Sequence, residues 1–367
     1  LLCQELLFPP SPYFSKVSIC SMMEKCIFAH YPHNLVFMIR KHFGIILGFL
    51  SLVFSAGAQQ EKQVFHFLNL PATAQALAAG GKAITIVDDN PGLAFENPAL
   101  LGYESGGRAF LSYLYYMSGS HMGNACYASS VGERGMWGVG MRFLNYGSMQ
   151  GYDQNAIATG SFSASDIAVQ GFYSHELSNH FRGGVSLKAL YSSIETYSSF
   201  GLGVDVGISY YDDDKGYSAS ALFKNVGAQL KGYNEEREPF DWDFQLGFSR
   251  SFINAPFRLH ITLFNLNPHY FKRLVPRDLS KMQKFLRHFS IGAEFTPSEK
   301  FWVGLGYTPQ IAQDFEVEGG NKWGGLSAGV GFTSGVVRVG VSAATYHPAA
   351  LSFMCSVGIR LDDKSIF

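Results

Sequence analysis

The sequence predicts an all-β protein: a transmembrane antiparallel β-barrel of about 14 strands with an N-terminal plug. Three observations carry this. In FDWDFQLGFSR, residues Phe240, Trp242, Phe244, Leu246 and Phe248 alternate with Asp241, Asp243, Gln245, Gly247 and Ser249. Successive side chains of a strand point to opposite faces, so one face is aromatic and the other acidic and polar. Buried aspartates are costly in a core, whereas a wall between lipid and a polar lumen accommodates both faces. The second observation is composition: 47% of the 367 residues are hydrophobic, 15% aromatic and only 16% charged, against about 25% charged in an average soluble domain. The third is repetition, in that two-faced segments recur along the chain and the long connections between them fall on one side.

In chain order, residues 1–37 show no periodicity and contain three of the five cysteines. From Met38 the chain reads as a signal peptide, with Arg40 and Lys41, an apolar run, and Ala56-Gly57-Ala58 before Gln59. The expected division is therefore an upstream extension (1–37), a signal peptide (38–58) and a mature chain from about Gln59; an extended leader is the alternative for the first part. Past that segment no run approaches the roughly 20 apolar residues of a membrane-spanning helix.

Residues 59–106 do not alternate like a strand. Pro71 opens the Ala-rich PATAQALAAGG, which predicts a short helix ending at Gly80 and Gly81. Asp88 to Gly92 and Glu96 to Ala99 are turn chemistry. A Gly- and Pro-punctuated element ahead of a barrel is most simply a plug in the lumen, with a periplasmic tail as the alternative.

The barrel is expected over 107–367, with strands starting near residues 107, 120, 135, 164, 181, 199, 216, 239, 256, 287, 300, 322, 335 and 350. Each is close to the 9 to 11 residues, roughly, of a tilted spanning strand. With a periplasmic N-terminus, the long connections at 147–163, 227–238, 268–286 and 311–321 are all external, which matches barrels with short periplasmic turns and long outer loops. Arg142, Lys188, Arg258, Arg338 and Arg360 point inward by parity, as do Asp205, Asp241, Asp243 and Glu294. Mixed signs suit ion pairing or a filled lumen better than an ion-selective ring. Past residue 58 only Cys126 and Cys355 remain. They fall two strands apart once the barrel closes, at about 4.8 Å per strand, beyond the roughly 7 Å that a disulfide tolerates; both are expected to be unpaired.

No motif carries chemistry. Gly325-Leu326-Ser327-Ala328-Gly329 has the G-x-S-x-G pattern, but alternation continues through Val330 and Phe332, so Ser327 lacks the strand-to-helix turn of a nucleophile elbow. His175 and His180 are five apart, where a zincin helix needs a spacing of four. Asp241 and Asp243 share a face but have no pocket, and Gly80-Gly81-Lys82-Ala83 lacks the P-loop spacing. No catalytic, cofactor-binding or metal-binding residue is assigned, and no enzyme activity or cofactor is expected. With 28 basic and 29 acidic residues there is no nucleic-acid signature. The connection between the ninth and tenth strands is the most basic, with Lys272, Arg273, Arg277, Lys281, Lys284 and Arg287 against Asp278. Its second half predicts a helix capped by Asp278 with Leu279, Met282, Phe285 and Leu286 on one face. Such a loop either balances anionic lipopolysaccharide or docks a surface partner.

FLNLP at 67–71, A-x-A-x-GG at 76–81, Asp88-Asp89 and ENPALL at 96–101 resemble the opening of the PorQ-type outer-membrane proteins of the type IX secretion system. Asn97-Pro98-Ala99 also resembles the plug of the broader FadL-like family, to which PorV is related. The resemblance implies a non-enzymatic outer-membrane component that anchors the attachment complex joining secreted proteins to lipopolysaccharide. Its implied partners are outer-membrane lipid, a PorZ-like surface protein, PorU and PorV. The alternative it carries is a FadL-like transporter of hydrophobic compounds.

Overall fold

Fourteen strands pair antiparallel with their chain neighbours, and the first pairs with the last, so the sheet closes on itself. They are β1 (Arg108–Tyr115), β2 (His121–Val131), β3 (Gly135–Tyr152), β4 (Ala158–Glu176), β5 (Phe181–Ile194), β6 (Tyr197–Asp212) and β7 (Tyr217–Lys231). The second half comprises β8 (Asp243–Ser251), β9 (Phe257–Leu263), β10 (Phe289–Ser298), β11 (Phe301–Tyr307), β12 (Leu326–Ser334), β13 (Val337–His347) and β14 (Ala350–Arg360). The computed structural model describes residues 64–152, 157–233, 237–238, 240–252, 254–267, 279–314, 324–347 and 350–361. The expected extension and signal peptide, and Lys272, Arg273, Arg277 and Asp278 of the basic connection, lie outside the described residues.

The period-2 pattern holds along the wall. In β5, Val185, Leu187 and Tyr191 are exposed while Ser186, Lys188, Leu190 and Ser192 are buried. Closure of the sheet leaves no strand edge, which is what lets a sheet sit in lipid. Long connections gather at one end, called the outer end below. Cys126 faces inward and Cys355 outward, both unpaired.

Several local expectations change. The connection expected at 147–163 is mostly strand: β3–β4 pairing runs past Asn145 from Ser148↔Ser163 to Tyr152↔Ala158. The adjoining pairings stop earlier, at His121↔Asn145 and Ala164↔Ile194, so a two-stranded ribbon projects from the outer rim. At the other end of the wall, Arg360 keeps the inward parity of Ser352, Met354 and Ser356 and pairs in register with the buried Arg108, but at the terminus of β14 it is exposed. The largest departure is at Phe240. Alternation puts it on the lipid face, but β8 starts only at Asp243; Phe240 is 7% exposed, bridges in parallel to Val64 and packs with its ring tilted against that of Phe65, centroids 5.4 Å apart. Alternation persists through an irregular approach to a strand, so pattern alone places the start too early.

Residues 64–105 pack against inward-facing side chains of the wall. They form the helix α1 (Ala74–Ala78), capped by the Thr73 hydroxyl accepting from Ala76 N–H, and several single 3-10 turns. The helix ends as expected, with Gly80 and Gly81 at φ 93° and 78° and Gly81 N–H donating to Ala76 O at 2.8 Å. The wall makes room with glycine. A Cβ on Gly306 would lie 2.1 Å from Gly80 N, and one on Gly184 would lie 2.3 Å from Ala99 N. Two further helices sit on the outer side: α2 (Lys281–Leu286) between β9 and β10, and α3 (Pro309–Asp314) between β11 and β12. The N-cap of α2 is Ser280 in a capping box with Gln283, where Asp278 was expected.

Candidate functional site

One buried apolar cluster lies at the outer end of the interior, and below it polar ties are interleaved with two further apolar clusters, one around Phe95, Phe110, Met136 and Phe172 and one around Ala76, Ile86, Leu93 and Leu100. Towards the periplasmic end, charged and amide groups tie residues 64–105 to the wall. A bulge carries the largest tie: β6–β7 register slips between Val204↔Val226 and Val206↔Phe223, placing Lys224 and Asn225 opposite Asp205, with Asn225 at φ 56°. Asp205 accepts from Asn225 N–H at 2.7 Å and pairs with Lys188 Nζ at 2.7 Å, both side chains being 1% exposed. Lys188 Nζ also donates to Asn225 Oδ1 at 2.6 Å. Asn225 Nδ2 donates to Asn69 Oδ1 at 3.1 Å, and Asn69 Nδ2 to Asp241 Oδ2 at 2.7 Å. The network thus runs from β5 through the bulge to the inner segment and on to the approach to β8.

Other ties are similar. Glu96 accepts from Ala72 N–H at 2.7 Å and faces Lys224 Nζ at 3.5 Å. Arg142, 1% exposed, donates to Leu68 O at 3.0 Å, Leu70 O at 2.6 Å and Asn124 Oδ1 at 2.9 Å. An arginine so engaged fixes backbone carbonyls that would otherwise be orphaned. Asp88 and Asp89 bind Arg338 at 2.5 and 2.9 Å, and Asp89 binds Arg108 at 2.6 Å. Burial alone would raise the Asp88 carboxyl, but the charge and hydrogen bond of Arg338 outweigh it and hold the group below the usual carboxylate range.

Towards the outer end the interior is apolar. Buried Leu68, Leu77, Leu114, Met122, Leu144, Leu190 and Met354 form one cluster, with Leu70, Tyr116, Met117, Tyr146, Tyr233 and Ile311 partly buried against it. Two of those tyrosines donate their hydroxyls to the wall, Tyr146 to Asp166 (2.7 Å) and Tyr233 to Ser192 (2.5 Å). A cavity of about 10 Å³ beside Leu77, Gly80, Ile311 and Tyr346 is at the lower limit for one water, roughly 10–15 Å³. An open cleft of about 460 Å³ lies beside the base of the ribbon, lined by Ser148, Ser161, Phe162, Ser163, Glu195 and Thr196.

The residues weighed for chemistry are all engaged structurally. Asp243 accepts from Gln245 Nε2 (2.8 Å) and Leu266 N–H (3.1 Å), while Asp241 holds Asn69 and pairs with His66 at 3.4 Å, so the two aspartates do not converge on one site. Ser327, the second residue of β12, donates to Ala78 O at 3.0 Å. His175 is exposed near the end of β4 and His180 on the β4–β5 connection. Among the described residues no three His, Cys, Asp or Glu side chains group to hold a metal. Expected inward charges Arg142, Lys188, Asp205 and Glu294 are buried in the lumen; Arg258 and Arg338 are partly exposed. Sequence reasoning missed the role of Asp88-Asp89 as a latch and of Asn225 as a bulge. The signals were a charged pair inside a buried segment and two consecutive inward polar residues, Lys224-Asn225.

No family model and no curated protein matches the chain. Solved structures do. The Pseudomonas putida toluene transporter TodX aligns with 82% of this chain and 100% of its own at 11% identity and TM-score 0.52. The Ralstonia pickettii toluene transporter TbuX aligns with 80% and 99% at 13% identity and TM-score 0.50. A Pseudomonas aeruginosa FadL homologue aligns with 79% and 98% at 8% identity and TM-score 0.47. Together with the closed fourteen-strand topology, the two toluene transporters show that the chain shares their barrel fold. At these identities the likeness is one of architecture.

Proposed function

We propose that the protein is an outer-membrane barrel that admits small apolar compounds from outside the cell, with residues 64–105 acting as a plug that must shift to let them pass. The observation that carries this is the arrangement of the interior: an apolar cluster with partly buried tyrosines at the outer end above a polar network that holds the inner segment in place. An apolar solute gains by leaving water for such a surface, and its further passage requires the plug contacts to rearrange, because the lumen beneath is packed. The toluene transporters with the same architecture support the solute class. The test is uptake of a labelled monoaromatic hydrocarbon by cells with and without the protein, secretion being measured in parallel. Lost uptake with unchanged secretion supports transport.

A second reading is favoured by the projecting β3–β4 ribbon and by the similarity of residues 67–101 to PorQ-type proteins. Here the filled barrel is an anchor for the type IX attachment complex, with a PorZ-like protein on the ribbon and PorU and PorV as further members. It predicts that crosslinking through the ribbon recovers a surface protein, and that deletion releases normally attached proteins into the medium with hydrocarbon uptake unchanged.

A further inference from the structure

The short helix α2 is amphipathic the wrong way round for a protein surrounded by water. The side opposite its apolar residues faces the barrel mouth: Lys284 is half-buried, Arg287, just past its end, is buried and pairs with Asp314, and the Gln283 backbone carbonyl accepts from Gln313 Nε2 of α3 at 3.3 Å. Its apolar side faces away from the protein, with Met282 66%, Phe285 58% and Leu286 39% exposed. Positions 282, 285, 286 and 289 form one stripe at helical spacing. That stripe runs into the wall, since the Phe285 ring packs edge-on against Phe289 of β10 at 4.9 Å. Beyond Phe289 the outward residues of β10 are Ile291 and Phe295, at 46% and 38% exposed.

Strand length explains what such a helix is for. The neighbouring β9 and β11 have 7 residues each. At about 3.4 Å per residue and a tilt of about 40°, 7 residues reach only about 18 Å along the barrel axis, short of the roughly 25 Å apolar band of an outer-membrane barrel. The 14 residues of β5 reach about 36 Å by the same arithmetic and clear the band unaided. The 10 residues of β10 reach about 26 Å, so the missing height is at β9 and β11 on either side of it, and it is less than the diameter of one helix, about 10–12 Å with side chains. The helix follows on from that region, tied to it by Phe264 N–H donating to His288 O at 2.9 Å.

We infer that α2 is a membrane-interface element: it lies in the outer leaflet beside the short staves β9 and β11 that flank β10, with Met282, Phe285 and Leu286 among lipid chains. Its occupant is outer-leaflet lipid, because the stripe is continuous with the lipid-facing wall and stands where that wall falls short. Lys281, exposed at the start of the helix, reaches the anionic headgroup level from there. The inference rests on the chain being a membrane barrel and is independent of whether that barrel transports or anchors.

The test is collision spectroscopy on single-cysteine proteins in phosphatidylcholine vesicles, all in a background in which Cys3, Cys20, Cys26 and Cys126 are changed to Ala. One retains Cys355 on the lipid face of β14, and the others carry Cys355→Ala with Met282→Cys, Phe285→Cys or Glu195→Cys, the last in the exposed β5–β6 turn. With a nitroxide on each cysteine, the inference predicts that positions 282 and 285 behave like 355: frequent collision with oxygen, and collision with a water-soluble nickel chelate several-fold rarer than at 195. Nickel collision at 282 and 285 equal to that at 195 overturns it and leaves the helix open to a protein partner. If 355 also behaves like 195, the membrane reading of the whole chain falls, and the inference with it.

Discussion

The two sides of the barrel wall meet the same demand by different means. From β3 to β7 the strands are 14–19 residues long; they overshoot the membrane band and carry the buried ionic network built on Lys188, Asp205, Lys224 and Asn225. From β8 to β12 they are 7–10 residues long and hold the inner segment by close packing, Ala78, Ala79 and Gly80 lying against Gly292, Gly306 and Gly329. Long staves have surplus length that can bulge and turn polar groups inward. Short staves cannot spare it, so their contact with the segment is backbone against backbone and their outer height is made up by a helix. The inner segment thus packs on glycines of both sides, Gly184 and Gly207 as well as Gly292, Gly306 and Gly329, and the long side adds a buried ionic network.

Substitutions on each side sharpen this contrast. The largest effect is expected from Asp205→Ala, which leaves the Lys188 ammonium buried without its carboxylate; breaking a buried pair this way costs about 3–5 kcal/mol. Urea unfolding in detergent should show a loss of that size, much of it recovered in the Lys188→Met/Asp205→Leu double variant. Overpacking comes next. Gly306→Val on the short side should cost about 1–3 kcal/mol or more and expose 64–105 to protease, while the β3–β4 ribbon stays folded. A smaller effect is expected of Ser280→Ala, which removes the α2 cap and costs about 1 kcal/mol; helix content should fall slightly with barrel stability unchanged.

The latch gives a pH dependence. Because Asp88 is held below its ordinary value, its contribution is present at neutral pH and is lost as pH falls through that depressed value. Protease accessibility of 64–105 should therefore rise in acid, and Arg338→Ala should show the same accessibility already at neutral pH. No acid step in the native protein would contradict the latch.

Much of this architecture was legible in the residues. Period-2 alternation gave the number of strands, and connection lengths gave their direction, because both follow from a wall with one apolar face. The helix at Ala74–Ala78 was legible from Pro71 and the Gly80-Gly81 stop. What alternation could not show was where pairing ends. Phe240 keeps the phase of β8 yet turns into the lumen, and the ribbon of β3–β4 looked like a loop because it continues where lipid no longer imposes an apolar face. The interior ties were least legible, since Asn69, Asn225 and Asp241 are far apart in the chain and only closure of the barrel brings them together. One overlooked signal was available: inward-parity glycines such as Gly184, Gly306 and Gly329 mark where the inner segment touches the wall.

The measurement that bears most directly on the proposed function is the initial rate of labelled toluene uptake by cells whose own copy of the gene is deleted. They are complemented with the natural chain or with an Ala72→Cys/Ser112→Cys chain, at a contact where Ser112 Oγ now donates to Ala72 O at 2.6 Å. Uptake restored by the natural chain, and by the double-cysteine chain only under reducing conditions, is the predicted result. Uptake equal in deleted and complemented cells, with surface proteins shed into the medium on deletion, would contradict transport and leave the barrel as an anchor.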